Sequence, residues 1–591
     1  MRQESIICQN CKNEFVIEPE DFLFYEKIHV PPPTWCSECR MVRRMTWRNE
    51  RALYHGICGA TTKKVIAMFS PEKHFTIYER DYWWSDKWDQ LVAGRAYDFS
   101  KPFFLQFREL FQATPLPNLA NSNVVDSEYG NHNADMKNCY LTYASFHNEN
   151  VAYSSGALNS RDSMDLLLVG ENERCYENVL CGGLYNVHFS QDSDDSLDSF
   201  FLRACKDVKS CFACVNVRRK SYQIFNRQYS KEGYESEMKK IDLGSYKNLI
   251  EYRKQFADFS LRYPKRHATF LKCVDVAGDN IVASKNCQAC FDIYGGVEDS
   301  KYVVHGTDLK DSYDGYGFGG WAELLYEGVD SGIKAARYKF TIFTHGCQDV
   351  EYVYGCHSSS HLFGCVGLRN KQYCILNKQY TREEYEKLVP RIIEHMNQMP
   401  YADKKDRIYG YGEFFPSELS PFAYNESIAQ EYFPLTKKEV NEKGFEWGSP
   451  TERDYKVTVP ASDLSDHIKD VNDGILKEVI GCADRGACNH QCTTAFKIIP
   501  DEFSFYKKFN FPLPRLCPNC RYYTRLSLRN PFRLWKRHCD CVGISSANKI
   551  YANQASHFHG SAPCPNEFET SYSPEKKDIV YCEACYKDEV A

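Results

Sequence analysis

Cysteine pairs are the residues of this sequence best placed to do chemistry. Cys8-Gln-Asn-Cys11 and Cys36-Ser-Glu-Cys39 are two tight turns, each offering two thiolates. Two such knuckles close a tetrahedral sulfur site of the kind zinc prefers, and the ion replaces a core too small to fold alone. An iron–sulfur centre or a redox dithiol would use the same residues. Against both, the arrangement recurs near the other end of the chain, again as two pairs. There Cys517-Pro-Asn-Cys520 is a standard knuckle, and Cys488-Asn-His-Gln-Cys492 is a looser one, with Cys482 as substitute for Cys488. A third site is expected from Cys541, Cys564, Cys582 and Cys585, with Cys539 or His557 in reserve. The expectation is about three Zn²⁺ per chain.

Other residues could carry function. Each ribbon runs into an arginine stripe, Arg40, Arg44 and Arg48 in one and Arg521, Arg525 and Arg529 in the other. On a helix the i, i+4, i+8 spacing puts three guanidinium groups on one face. Arg43, Arg51, Arg533, Lys536 and Arg537 enlarge these patches, and Trp47, Tyr522, Tyr523 and Trp535 interleave. Guanidinium forks suit phosphates and aromatic rings stack on bases, so RNA, DNA or a ribonucleoprotein is one expected partner. The competing expectation is that the arginines pair with acidic residues of the same chain or of a protein partner. A carbohydrate-active enzyme would rest on Asp162 and Asp165, repeated as Asp311 and Asp314, acting as acid and base or holding a cation. An Asp at a repeat turn more commonly caps that turn, and the expectation is a protein that is not an enzyme. No phosphate-binding glycine loop, His-Glu-x-x-His pair or nucleophile elbow is present. Tyr316-Gly-Phe-Gly-Gly320 is expected to be a turn.

Two nested duplications organise these groups. Adding 481 carries Cys36, Cys39, Arg40, Arg44, Arg48 and Cys58 onto Cys517, Cys520, Arg521, Arg525, Arg529 and Cys539. In the middle, adding 151 carries Cys205, Cys214 and Tyr222 onto Cys356, Cys365 and Tyr373, and adding 149 carries Asp162 and Asp165 onto Asp311 and Asp314. Inside the first middle copy, Cys139, Val151, Ser163, Cys175, Val187, Ser199 and Cys211 are each twelve apart, with Asn or Asp commonly before and an aromatic after. A fixed short period of this kind is a solenoid signature. Twelve residues suit a strand and turn, read as half a coil of a parallel β-helix with Cys/Val/Ser, Asn/Asp and aromatic ladders. The thirteen cysteines between Cys139 and Cys374 are expected to be small core residues, although Cys211-x-x-Cys214 and Cys287-x-x-Cys290 have metal-binding spacing.

The expected fold is therefore mainly β with helical insertions, a parallel β-helix in two blocks flanked by zinc ribbons. The expected segments are a ribbon with arginine helix (1–60), a connector (61–117), a solenoid block (118–230), a helical insert (231–263), a second block (264–380), a helix and extended linker (381–475), a second ribbon with arginine helix (476–537) and a C-terminal ribbon (538–591). The helix of the 381–475 segment is expected to be interrupted at Pro390. The stretch after Cys58, including Ser70-Pro-Glu-Lys73, is expected to fold without metal.

The 591 residues carry 28 Cys, 15% aromatic residues and a formal net charge of −6, which gives no global pull toward nucleic acid. No run of about 18 apolar residues suggests a membrane span. The first residues lack the apolar core of an export signal, so a reducing cytoplasm is the expected location.

The arrangement resembles a family of cysteine-rich zinc-ribbon proteins from genomes of uncultured small bacteria. The resemblance is carried by Phe496-Lys-Ile-Ile, Arg515-Leu-Cys-Pro-Asn-Cys-Arg521, Phe568-Glu-Thr-Ser-Tyr-Ser-Pro574, Tyr581-Cys-Glu-Ala-Cys-Tyr586 and Tyr409-Gly-Tyr-Gly-Glu-Phe-Phe-Pro416. It spans most of the chain and brings no assigned activity. The expected function is a zinc-binding scaffold engaging nucleic acid, a ribonucleoprotein or a protein.

Overall fold

The computed structural model describes residues 3–449 and 455–590; positions 450–454 of the expected linker lie outside them. The chain forms two compact units. One comprises 1–119, 268–448 and 532–534, and the other 120–267, 449–531 and 535–591. Each unit joins a solenoid block to the ribbon from the far side of the sequence. The N-terminal ribbon belongs with the second block, and the second ribbon with the first block.

The solenoid is present as expected, but its coil is half the predicted size. Parallel pairing joins residues twelve apart, as in Val151 with Ser163, Val187 with Ser199 and Leu202 with Cys214. Twelve residues are therefore a whole coil. The reason lies in the backbone: in the first block nearly every third residue, from Asn123 to Phe225, has φ between about +46° and +65°. Each coil is four short sides of two extended residues closed by a left-handed corner. Left-handed backbone is costly for most L-residues and least so for Asn, Asp and Gly, which explains the Asn/Asp positions of the repeat. Corner side chains also bond one another along the stack, Asn138 Nδ2 to Asn150 Oδ1 at 2.9 Å and Asn150 Nδ2 to Asp162 Oδ1 at 2.7 Å.

The residue after each corner points inward. Cys139, Thr142, Ser145, Asn148, Val151, Ser154 and Ala157 are all buried, and the same three-residue phase continues through Cys211, Cys214 and Val217. Inward side chains in this block are no larger than leucine, as at Leu166, Leu184 and Leu202, and cysteine packs among them. The inward N–H groups also need acceptors. Ser163 Oγ donates to the Arg161 carbonyl at 2.7 Å and accepts from Cys175 N, one coil on, at 2.9 Å. Cys175 Sγ makes the matching bond to the Glu173 carbonyl at 3.3 Å. Burial raises the Cys175 and Cys205 thiols to about 12. Cys211 and Cys214 belong to this buried core and Cys287 and Cys290 to that of the second block, and among the described residues none of the four joins a ligand cluster.

The second block repeats the plan with occasional thirteen-residue coils, as in Lys285 with Glu298 and Ala322 with Ala335. The glycines at 317–320 form corners of its strand Tyr313–Gly332. Gly319, at φ +131°, lies so close to the next coil that a Cβ would meet the Thr307 carbonyl oxygen at 1.7 Å.

One outer face of each block is aromatic and covered. In the first, Phe201 and Phe212 meet Phe256 and Tyr252 of the helix Tyr246–Ser260, and Tyr176 and Phe189 meet Phe511. In the second, Phe340 stacks on Tyr352 at 4.4 Å and Phe24 stacks on Tyr313 at 3.9 Å. The helix Arg382–Gln398 runs through Pro390 without the expected interruption, and starts with a Thr381–Glu384 capping box. Among the described residues no helix is long and apolar enough to cross a membrane.

Candidate metal centres

Three cysteine tetrads assemble: Cys8, Cys11, Cys36 and Cys39; Cys482, Cys492, Cys517 and Cys520; and Cys539, Cys564, Cys582 and Cys585. Each is built alike. A short antiparallel pair brings up the first two cysteines, Glu4–Ile7 with Glu14–Ile17 in the first ribbon and Ile480–Gly481 with Ala495–Phe496 in the second. The other two lie at the N-terminus of a helix, Ser37–Met45, Pro518–Leu526 or Glu583–Val590. The positive end of a helix dipole favours thiolates there.

The spacing fits a tetrahedral ion. Four sulfurs about 2.3 Å from one centre lie about 3.8 Å apart along each edge. The structure places Cys11 and Cys36 Sγ 3.8 Å apart, Cys482 and Cys520 3.8 Å, Cys492 and Cys517 3.9 Å, Cys564 and Cys582 3.9 Å, and Cys564 and Cys585 3.7 Å. A disulfide would need about 2.05 Å, and all 28 cysteines are free. Backbone and amide N–H groups support the thiolates: Cys36 N donates to Cys8 Sγ, Cys517 N to Cys482 Sγ and Cys582 N to Cys539 Sγ, at 3.2–3.3 Å. Hydrogen bonds from neighbouring thiols, Cys539 foremost, lower Cys582 to about 4, and those of Cys492 foremost lower Cys482 to about 7. The same neighbours hold the last thiol of a tetrad up, as at Cys39 and Cys520. The thiols of a bare tetrad thus differ sharply in how readily they lose a proton, and a bound cation would favour all four as thiolates.

Ten of the twelve expected ligands fall in these tetrads. Cys488 and Cys541 give way to the two reserves, Cys482 and Cys539. Cys482 does the work of Cys8: its N–H bonds Thr494 O as Cys8 N–H bonds Asn13 O, and it accepts from the first helix cysteine in the same way. Proximity to Cys492 favoured Cys488, but residues 483–491 are an enlarged knuckle. The apolar residue two before each tetrad cysteine, Ile6 before Cys8 and Ile480 before Cys482, is the signal in the sequence. Cys539 likewise occupies the first position of the third ribbon, where Cys541 lies beside it. In the first half Cys58 stands where Cys539 stands in the second, and accepts from Glu79 N at 3.2 Å. It joins no ligand cluster among the described residues.

The arginine stripes are not laid out toward solvent. Arg40, Arg44, Arg48, Arg521, Arg525 and Arg529 are all buried. In the first unit Arg40 Nη2 lies 2.8 Å and Arg44 Nη1 3.0 Å from Asp314, while Arg43 bridges Glu327 at 2.8 Å and Glu413 at 2.6 Å. Arg48 pairs with Glu50 at 2.7 Å and Asp330 at 2.8 Å. In the second unit Arg521 lies 3.0 Å from Asp165 and 3.2 Å from Glu502, and Arg525 lies 2.7 Å from Asp165. Tyr153 and Tyr506 hydroxyls complete the set by donating to Glu502. Burial, which disfavours the carboxylate, leaves Glu502 above its ordinary range. Of the enlarging residues, Arg533 is exposed beside Glu38, Lys536 is exposed and Arg537 pairs with Asp540.

The repeated acidic residues are consumed by the same network. Asp165 and Asp314 are fully buried counter-ions. Asp162 sits in the corner ladder, and Asp311 takes Lys27 at 3.0 Å. The two duplications are thus halves of one: ribbon arginines and solenoid carboxylates recur together, once per unit.

Fold and clusters together define a parallel β-solenoid protein with tetracysteine ribbons able to hold metal ions. No family model matches the chain, and no curated protein matches its sequence.

Proposed function

We propose that this protein is a zinc-stabilised, non-enzymatic β-solenoid scaffold whose ribbons brace the solenoid, leaving the solenoid surface to engage a protein partner. The observation that carries this reading is the burial of both arginine stripes, with Arg40, Arg44, Arg521 and Arg525 held by solenoid carboxylates. A guanidinium committed to Asp165 or Asp314 offers no fork to phosphate, and a fully buried carboxylate held by two arginines is closed to a substrate. Four thiolates per cluster favour zinc over harder cations. The free thiols fit a reducing compartment such as the cytoplasm, and the ribbon motifs near Cys517 and Cys582 favour kinship with the cysteine-rich zinc-ribbon family they resemble.

The test is binding of the full chain to RNA and DNA at low salt, beside elemental analysis of reductively purified protein. The expected result is zinc at every tetrad and no retention on either nucleic acid. Salt-sensitive retention that disappears in a folded Arg521→Gln/Arg525→Gln/Arg529→Gln variant would restore the ribonucleoprotein reading. Absence of stoichiometric zinc would remove the scaffold's metal.

A further inference from the structure

The C-terminal ribbon has more ligands than one ion needs. Beside the tetrad Cys539, Cys564, Cys582 and Cys585, a second group brings Cys541, His557, His559 and again Cys585 within 4.8 Å of one another. We propose that this ribbon is a two-metal cluster in which the Cys585 thiolate bridges a four-sulfur ion and a second, two-sulfur, two-imidazole zinc ion.

The two histidines are set up as ligands. His559 Nδ1 lies 2.6 Å from the Ala562 carbonyl, which can only accept, so Nδ1 carries the proton. Its Nε2 then presents a lone pair toward Cys585 Sγ, 3.4 Å away. His557 has a fully buried side chain, with Nε2 3.0 Å from Glu589 Oε1. Glu589 also accepts from Tyr551 Oη, Gln554 N and Ala555 N, so it acts as a carboxylate acceptor and fixes the His557 proton on Nε2. His557 Nδ1 is buried without a hydrogen-bond partner, although Asp588 approaches it to 3.3 Å outside hydrogen-bond geometry. A histidine ligand whose other nitrogen is held by a carboxylate or carbonyl is the usual outer support of a zinc site. The rings stack with centroids 5.4 Å apart.

Cys541 completes the set. It is fully buried, and Asn553 Nδ2 donates to its Sγ at 3.2 Å while Asn553 Oδ1 accepts from Tyr581 Oη at 2.7 Å. Its carbonyl accepts from Cys564 N at 2.9 Å, which ties the two ligand groups together. Charge favours the second ion as well. Four thiolates on one divalent cation leave two surplus negative charges in a buried place; a second divalent cation with one more thiolate and two neutral imidazoles halves that surplus. Cys541 releases its proton on binding.

The proposal rests on the tetrad holding zinc, and the test separates the two. The full chain is loaded with cadmium and examined by cadmium NMR, and zinc content is compared between the wild type and His557→Ala/His559→Ala. The expected result in the unmutated chain is an all-sulfur resonance spin-coupled to a mixed sulfur–nitrogen resonance through the shared thiolate. The variant should bind one zinc fewer and keep the all-sulfur resonance uncoupled. Equal zinc contents, or no coupled pair in the unmutated chain, would overturn the bridge. Loss of no all-sulfur resonance in Cys564→Ser would overturn the tetrad itself and the cluster with it. Because the coupling is read in the unmutated protein, a variant that fails to fold does not blunt the test.

Discussion

Asp165 of the solenoid lies 2.7 Å from Arg525 and 3.0 Å from Arg521, all three buried. In the other unit Asp314 holds Arg44 and Arg40 in the same way. An ion pair of this kind contributes little over a well-packed apolar contact, but one partner left alone in the interior is costly.

Removing Asp165 should therefore destabilise strongly. We expect Asp165→Ala to cost about 3–5 kcal/mol in denaturant unfolding of metal-loaded protein. Adding Arg525→Met should recover part of that loss. Asp162→Asn, at an ordinary corner of the coil, should change stability by less than about 0.5 kcal/mol. Equal effects at Asp162 and Asp165 would contradict the assignment.

The ligand choice in the second ribbon separates two neighbouring cysteines. Cys482→Ser should reduce the metal content and lower the thermal midpoint in the presence of zinc. Cys488→Ser should leave the Cys482, Cys492, Cys517 and Cys520 tetrad loaded. The reverse order of effects would return Cys488 to the tetrad.

Solenoid thiols should behave as packing atoms. Cys175→Ser keeps the bond to the Glu173 carbonyl and should cost no more than about 1.5 kcal/mol. Cys175→Leu overfills the narrow core and should cost about 1–3 kcal/mol. In native protein treated with a chelator, alkylation followed by mass spectrometry should label ribbon cysteines first. Cys175 and Cys205, raised to about 12 by burial, should stay unlabelled.

Acid should weaken the second unit before its carboxylates titrate. His188 is buried among Phe200, Phe509 and Phe511, and burial lowers it from 6.5 to about 3. Below pH 6.5 the unfolded chain protonates this group while the folded chain does not, so unfolding takes up a proton. The stability is fully present above pH 6.5 and falls as pH drops toward 3. His188→Phe should flatten that part of the stability curve, and identical wild-type and variant slopes would contradict it.

Much of this was legible in the residues. Cys139, Val151, Ser163 and Cys175 gave the period of twelve, and the 481-residue offset gave the ribbons. The triplet inside the coil was not visible as hydropathy, because inward Cys, Ser, Asn and Val mix polar with apolar types. Its mark was the backbone preference of Asn138, Asn150 and Asp162 for a left-handed corner, three residues from the next. The pairing of Arg521 with Asp165 spans 356 positions, beyond any local pattern. What could have revealed it was that both duplications keep their charged members, Arg40 with Arg521 and Asp165 with Asp314.

The crossed assembly of ribbon and coil sets a waiting time during synthesis. Arg40 emerges 274 residues before Asp314, its neutralising partner. At about 5–20 residues per second that gap lasts roughly 14 to 55 s. Throughout it, Arg40 and Arg44 wait for Asp314, whereas Arg48 already has Glu50 two residues away. A ribosome-bound chain halted before position 314 should therefore leave Arg40 and Arg44 without the carboxylate that pairs them in the folded unit.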